Sequence, residues 1–291
     1  MIGDVTFYPN YFWRQKFNIS VYPSVNGITY TSSGGETSGP AYDLIDSRRS
    51  NVITLDTNGV SASFYSAYVG NESIDEADFF IVDNHNFDTA YGGLRLAWGT
   101  GPTYIDLTGY WGGSLGSEMT AQNYNSSQKE VRQPTDGIFL GLYDTLYSKT
   151  EWRIYMREDN FPTAWTDDLT MGEWLVGKRF TMSVAPEMPT EISNYDGVQL
   201  SVTAGGQKHG FGTYGERKAW RLAWNYITED DKDGFLEVWR TTQGSKYPFY
   251  IDLGENGNPT LYFVRFVDNS VSLEKLTTGV YKLTFLIESE V

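Results

Sequence analysis

The sequence contains no cysteine and only two histidines, His85 and His209, among its 291 residues. Without cysteine there are no disulfide bonds and no thiolate metal sites, so core packing or neighbouring subunits must hold the fold together. His85 lies between Asp83 and Asp88, and a histidine flanked by carboxylates could bind a metal. The favoured interpretation is a turn in which these polar side chains bond the backbone at a strand end.

Basic residues are also few, with 22 Lys and Arg against 37 Asp and Glu and a formal net charge of −15. Such a surface repels the phosphates of nucleic acids and of anionic membranes, so we expect neither as a partner. No run approaches the ~20 apolar residues that a membrane-spanning helix needs. The N-terminal residues MIGDVTFYPNYFWRQ lack the basic start and apolar run of a signal peptide. We therefore expect a soluble chain that is made in a cytoplasm.

Motifs for catalysis and cofactor binding give little support to an enzyme. The HExxH pattern of zinc hydrolases is missing, and the glycines of GGQKHGFGTYG do not join a strand to a helix in phosphate-binding spacing. Paired carboxylates for glycoside hydrolysis are spaced in three dimensions rather than along the chain, so a glycosidase is kept as a third class of function. We expect a protein without catalytic activity, without a metal site and without a cofactor.

An acidic run at Glu229–Gly234 invites comparison with a calcium-binding EF-hand loop. The twelfth position of that loop requires a bidentate glutamate, and here it holds Arg240. We instead interpret the acids as the first turn of a helix, with Thr228 as its N-cap and Asp231 three residues on. The helix is predicted to run to about Arg240 and to bury one face, formed by Phe235, Leu236 and Trp239.

Aromatic residues are abundant, with 21 Tyr, 16 Phe and 9 Trp, and these residue types favour strands. Apolar and polar residues alternate with a period of two in several stretches, which indicates half-buried strands. A mainly β fold is therefore predicted. The predicted strands include Val52–Leu55, Ser61–Tyr68, Asp78–Val82, Gly93–Trp98, Trp152–Met156, Val198–Val202, Trp220–Tyr226, Leu261–Val267 and Val280–Ile287.

The stretch Ala77–Trp98 is the centre of this interpretation. Its apolar run Phe79–Val82 suits a strand that is covered on both faces. Asp83 and the following Asn84, His85 and Asn86 are residues of the kind that turn a chain by bonding their own backbone. We predict a structural turn at Asn84, His85 and Asn86.

Two longer segments carry no strand pattern. Residues 111–135 are read as a long polar loop, and loops of this length tend to be functional or disordered. Residues 161–178, FPTAWTDDLTMGEWLVGK, are read as a connection between strands. A cluster of proline and polar residues at Ala185–Asp196 indicates a domain boundary.

The N-terminal segment is rich in aromatic residues, including Phe7 and Tyr8. Such a segment docks either on its own domain or on a neighbouring subunit, because large exposed apolar patches usually mark contact sites. Tyr11, Phe12 and Trp13 are the candidate interface residues. We expect the protein to work as a homo-oligomer.

The N-terminal half resembles the discoidin or galactose-binding type of β-sandwich. The residues that carry the resemblance are TSSGG at Thr31–Gly35, YDLIDSRRSNVITL at Tyr42–Leu55 and ADFFIVDNHNF at Ala77–Phe87. In such domains an apolar strand followed by Asn-His-Asn leads into a loop at the end of the sandwich. The resemblance implies a jelly-roll-like β-sandwich over residues 1–185, followed by a smaller β-rich region with one short helix over residues 186–291.

The C-terminal third resembles tail and baseplate proteins of tailed bacteriophages. The residues that carry the resemblance are ERKAWRLAWNYITEDDKDGFLEVWR at Glu216–Arg240, KYPFYIDL at Lys246–Leu253 and YKLTFLIESE at Tyr281–Glu290. The order is an aromatic strand, a capped helix, a Pro-Phe segment and a final strand ending in Glu. It implies a protein that assembles in rings.

Together these features predict a structural virion protein, located in the tail or in the tail tip and baseplate of a phage. Its partners would be copies of itself and other virion proteins. The alternative is a carbohydrate- or receptor-binding module that recognises a host surface glycan. Exposed aromatic side chains, such as those of Tyr110, Trp111 and Trp165, could stack on the apolar faces of sugar rings.

Overall fold

A computed structural model describes residues 4–11, 28–32, 37–38, 51–55, 64–85, 93–98, 105–106, 128–135, 138–157, 169–187, 191–202, 208–254 and 260–290. Strands dominate these residues, which confirms the mainly β class. A helix, α1, spans Glu229–Thr242. The strands are, in chain order, β1 (Thr6–Tyr8), β2 (Ile28–Ser32), β3 (Thr37–Ser38), β4 (Ile53–Leu55), β5 (Phe64–Asp83), β6 (Gly93–Trp98), β7 (Ile105–Asp106), β8 (Gln128–Thr135), β9 (Ile138–Arg157), β10 (Leu169–Met171), β11 (Trp174–Gly177), β12 (Phe180–Thr181), β13 (Glu191–Val202), β14 (Lys208–Thr228), β15 (Phe249–Asp252), β16 (Leu261–Phe266), β17 (Ser272–Thr277) and β18 (Val280–Ser289).

The chain forms two compact units. Unit 1 consists of Met1–Tyr8 together with Phe180–Val291, and unit 2 consists of Pro9–Arg179. Unit 2 is thus inserted into the chain of unit 1, and the first eight residues belong with the C-terminal part. The division into domains at residues 1–185 and 186–291 stays a prediction, because compactness does not test independent folding.

Unit 1 contains an antiparallel sheet of eight strands in the order β12-β1-β15-β16-β18-β14-β13, with β17 beside β18. Its core lies between this sheet and α1, and consists mainly of aromatic and branched side chains. Strand β18 shows the alternation expected of a strand with one buried face, since Tyr281, Leu283, Phe285 and Ile287 are all buried. The predicted strands in this region are therefore confirmed.

Helix α1 begins where the sequence predicts and ends two residues later than expected. Thr228 and Asp231 form a reciprocal capping box, which explains why the acidic run starts a helix. Phe235 is fully buried as predicted, but Leu236 and Trp239 are only partly buried. Trp239 packs against the core as predicted. The prediction for Leu236 is wrong, because the buried face contains Phe235, Val238 and Thr242, which follow the spacing of three and four residues that one helix face requires.

Unit 2 contains two antiparallel sheets, as the predicted β-sandwich requires. The larger sheet has seven strands, with the order β11-β5-β9-β6-β7, β2 beside β5 and β8 beside β9. The smaller sheet has the order β10-β4-β3. The long central strands β5 and β9 pair from Phe64↔Arg157 to Asp83↔Ile138, with register shifts where the ladder is interrupted.

Two assignments of irregular structure are wrong where the structure describes them. Gln128–Thr135, inside the expected polar loop, is strand β8. The expected connection over residues 161–178 contains β10 and β11. Strands β10 and β11 pair with the distant strands β4 and β5, which local composition cannot indicate. Strand β8 instead pairs with β9, the next strand along the chain. The domain boundary at residues 185–196 stays a prediction. Among the described residues, no helix is both long enough and apolar enough to cross a membrane.

Candidate functional site at the end of strand β5

The C-terminal end of strand β5 is completely buried in unit 2. Phe79, Phe80, Ile81 and Val82 are at most 1% exposed, so the predicted strand covered on both faces is confirmed. Strand β9 pairs with one edge of this segment and β11 pairs with the other. Because the strand is paired at both edges, the backbone position of the residues that follow it is fixed.

Strand β11 is not among the predicted strands, and its pairing with β5 places Glu173 and Trp174 at the site. Its register pairs Trp174 with Val82, and Glu173 therefore comes next to Asp83. The backbone N–H of Asp83 donates to the carbonyl of Glu173 at 2.8 Å, and the N–H of Gly172 donates to the carbonyl of Asp83 at 3.0 Å. The apolar triplet that begins at Trp174 was the available signal, since a short apolar run suits a buried strand.

The predicted turn begins at Asn84, directly after β5. The carboxylate of Asp83 accepts the N–H of Asn84 at 2.7 Å, which is the local side-chain-to-backbone bond expected of such a turn. Asn84 has a φ of 52°, a left-handed conformation that asparagine tolerates better than most residues. Its side chain is exposed, whereas His85 is buried. Asn86 lies outside the described residues, and the structural role of the three residues stays a prediction.

The site combines several kinds of polar group at one strand end. Asp83 and Glu173 bring buried carboxylates, Asn84 brings an exposed amide, and His85 and Trp174 bring buried rings with polar nitrogens. Over the described part of the chain, no group of three or more His, Cys, Asp or Glu side chains could hold a metal ion. The amide of Asn84 can form hydrogen bonds with a polar ligand. The polar groups of Asp83, Glu173, His85 and Trp174 form a buried polar layer at the same strand end.

A second carboxylate of β5, Asp78, fixes the segment that leaves unit 2. It accepts the backbone N–H of Arg179 at 2.7 Å and lies 3.3 Å from Arg179 Nε. Burial raises the pKa of Asp78, and the hydrogen bond and positive charge of Arg179 only partly oppose that rise. This pair anchors the chain between β11 and β12, and we assign it a structural role.

The acidic run of α1 is also engaged in structure. Asp231 accepts hydrogen bonds from the N–H and hydroxyl of Ser183 at 3.0 and 2.7 Å, and from the hydroxyl of Thr228 at 2.8 Å. Burial alone would raise the pKa of Asp231, but these hydrogen bonds outweigh it and lower the pKa below its usual value. The central acid of the run is therefore committed to a cap.

The candidate interface residues fall partly outside the described chain. Tyr11 is 5% exposed, so its ring is covered by its own chain. Phe12 and Trp13 lie outside the described residues, as do the aromatic residues Tyr110, Trp111 and Trp165. An interface at Tyr11, Phe12 and Trp13 stays a prediction.

Comparison with known proteins gives structural matches only. No protein family and no curated protein matches the sequence. A carbohydrate-binding module, CBM32-1, from a family 31 glycoside hydrolase of Clostridium perfringens matches with 12% identity and a TM-score of 0.34, covering 54% of this chain and 99% of that one. The family 32 module of NanJ from C. perfringens, solved with galactose, matches with 12% identity and a TM-score of 0.33, covering 60% of this chain and 99% of that one.

A third match is chitosan-binding module 1 of a chitosanase/glucanase from Paenibacillus sp. IK-5. It has 15% identity and a TM-score of 0.33, and covers 52% of this chain and 94% of that one. Identities and TM-scores this low establish neither membership of a family nor a shared ligand.

Proposed function

We propose that this protein is a non-catalytic carbohydrate-binding protein in which unit 2 recognises the sugar. The observation that carries the proposal is the exposed Asn84, held in a left-handed conformation at the end of a strand that is paired on both edges. The same strand end carries the sequence resemblance to galactose-binding β-sandwiches, over Ala77–Phe87.

A sugar hydroxyl both donates and accepts hydrogen bonds, and the side-chain amide of asparagine can do the same. A binding group held by a rigid scaffold loses little conformational entropy when the ligand arrives. Asn84 meets that condition because its backbone N–H bonds Asp83 and because Asp83 is itself bonded to the segment that leads into β11. These contacts support a preorganised polar contact rather than a mobile loop.

The net charge of the chain limits the class of sugar that we expect as a ligand. The formal net charge of the chain is −15. Like charges across an interface are unfavourable, so uronic and sialic acids should be poor ligands. Neutral sugars and amino sugars are the expected class.

A hydrolase is less well supported. Gly112–Gly116 reads GGSLG and matches the GxSxG pattern of serine hydrolases, although it lies outside the described residues. That pattern works at a strand-to-helix turn of an α/β sheet. The described chain is mainly β and antiparallel, which favours binding over catalysis.

A second candidate function is assembly in the tail or baseplate of a bacteriophage, with copies of this chain and other virion proteins as partners. It is favoured by unit 1, in which β14, α1, β15 and β18 follow each other in the order that carries the resemblance to tail proteins. The two functions are compatible, because unit 1 could mediate assembly while unit 2 binds a host glycan.

The test is a glycan array followed by calorimetric titration of the best ligand. Asn84→Gly removes the amide but keeps a residue that accepts a positive φ. We expect at least a tenfold loss of affinity with an unchanged melting temperature. Gln243→Gly in unit 1 is the matched control, since Gln243 also has a positive φ (54°) and an exposed side chain. Absence of any binding by the unmodified protein, or equal binding by Asn84→Gly, would contradict the proposal.

A further inference from the structure

Strand β1 lies inside the sheet of unit 1 although it sits near the start of the chain. It pairs on one edge with β12, through Thr6↔Thr181 and Phe7↔Phe180, and on the other edge with β15. The N–H of Met182 also donates to the carbonyl of Val5 at 2.9 Å. Residues 5–8 therefore fill a slot between two strands that come from distant parts of the sequence.

The slot is shaped around the side chain of Phe7. This ring is fully buried, and its centroid lies about 6 Å from four other rings. The four rings belong to Phe180, Phe235, Phe249 and Phe285. Val5 is also fully buried and belongs to the same core. The slot therefore selects an extended segment with apolar residues at alternate positions.

The strand is separated from the rest of the chain by Pro9. Proline has no N–H to continue a sheet ladder, and β1 ends at the residue before it. One covalent link, between Tyr8 and Pro9, joins the strand to unit 2. Leaving the slot exposes Val5, Phe7 and Tyr8, so β1 exchanges through a rarely populated open state of unit 1.

We propose that β1 exchanges between copies of this chain, so that residues 4–8 of one copy occupy the slot between β12 and β15 of another. When β1 leaves, β12 and β15 expose unpaired backbone groups, and such edges are templates for strand addition. A second copy is the fitting occupant because it carries the same strand, including Phe7. Exchange of an identical element is a low-cost route to oligomers. This inference does not depend on carbohydrate binding.

The absence of cysteine from the natural chain makes the test direct. The hydroxyl oxygens of Thr6 and Thr181 lie 2.9 Å apart on adjacent strands, a distance that suits a disulfide after substitution. A chain with Thr6→Cys is mixed with a mass-tagged chain with Thr181→Cys, incubated and then oxidised. We expect a disulfide-linked heterodimer at about five or more times the yield obtained when Ser272→Cys, on exposed strand β17, replaces Thr181→Cys.

A reciprocal control separates exchange from random collision. Phe7→Ala in the chain that carries Thr181→Cys weakens the resident strand, so the yield should rise. Phe7→Ala in the chain that carries Thr6→Cys weakens the incoming strand, so the yield should fall to the Ser272→Cys level. Equal yields in all four mixtures would overturn the proposal, as would a chain with both Thr6→Cys and Thr181→Cys that forms the disulfide only within itself at every concentration of chains.

Discussion

Gly234 is an interior residue of α1 at which alanine should destabilise the protein. Elsewhere in a helix, alanine is favoured over glycine by about 1 kcal/mol. A Cβ atom at position 234 would lie 2.1 Å from Cε2 and 2.5 Å from Cδ2 of Phe180. Both distances are far inside normal contact, so the ring of Phe180 or the helix would have to move.

The loss of stability expected for Gly234→Ala depends on how tightly the ring of Phe180 is packed. Its ring stacks on Phe7 with centroids 6.2 Å apart, and Phe7 is fully buried, so the ring cannot shift freely. Adding a methylene to a packed core typically costs about 1–3 kcal/mol, and the short distances place this site near the upper end of that range. Subtracting the helix-propensity gain of about 1 kcal/mol leaves an expected net loss of about 2 kcal/mol.

Urea unfolding of Gly234→Ala, followed by circular dichroism and tryptophan fluorescence, measures this loss. Phe180→Ala provides the second variant of a double-mutant cycle, because it removes the obstructing ring. On that background Gly234→Ala should stabilise the chain by about 1 kcal/mol, the ordinary helix effect. If Gly234→Ala stabilises the otherwise natural chain, Phe180 does not pack over Gly234 and the reasoning is wrong.

Four further predictions concern other parts of the chain. Because the pKa of Asp231 is lowered in the folded chain, its contribution to stability is complete above the unfolded pKa of 3.8 and is lost as the pH falls through the lower folded pKa. Asp231→Asn should therefore be less stable than the natural chain at neutral pH and should lose less stability on acidification. Urea unfolding at each pH measures both effects. Asn84→Ala should cost about 1–2 kcal/mol because alanine resists a left-handed backbone, whereas Asn84→Gly should not, and equal losses in both variants would implicate the side chain instead. Deleting residues 1–8 should unfold unit 1, because burial of Val5, Phe7 and Tyr8 contributes about 5–8 kcal/mol in total; a truncated chain with unchanged melting would contradict the placement of β1. Replacing residues 9–178 by Asn-Gly should leave unit 1 folded, since β1 and β12 are antiparallel neighbours that a two-residue turn can join, and a dispersed NMR spectrum would establish its independence.

The sequence pattern is sufficient to predict an element whose structure is determined by its own residues. Helix α1 was predicted from Thr228 and the acids that follow, because a capping box is complete within four residues. The buried end of β5 was predicted from Phe79–Val82, since four consecutive apolar residues suit a strand covered on both faces. In both cases the chemistry that decides the structure is contiguous in the sequence.

Pattern failed where a partner from far along the chain decides the structure. Trp174 and its neighbours read as a connection until their pairing with Val82 is known. Glu173 meets Asp83 through that same pairing, and no local pattern indicates this contact. Asn84 was predicted as a turn residue, but its exposure depends on the tertiary structure around it and could not be read from spacing.

The sequence allows two locations for the N-terminal aromatic segment, its own domain or a neighbouring subunit, and the structure shows how the two are related. Phe7 lies in the core of unit 1 of its own chain. The free energy of placing β1 in its slot depends on the strand and the slot, not on which copy supplies the strand. In dilute solution the covalent link through Pro9 gives the chain's own β1 a high effective concentration, so it occupies the slot in preference to the β1 of another copy. When assembly holds copies together, the strand of a neighbour reaches a comparable local concentration. The two locations are then alternatives of one equilibrium, and the concentration of chains decides between them.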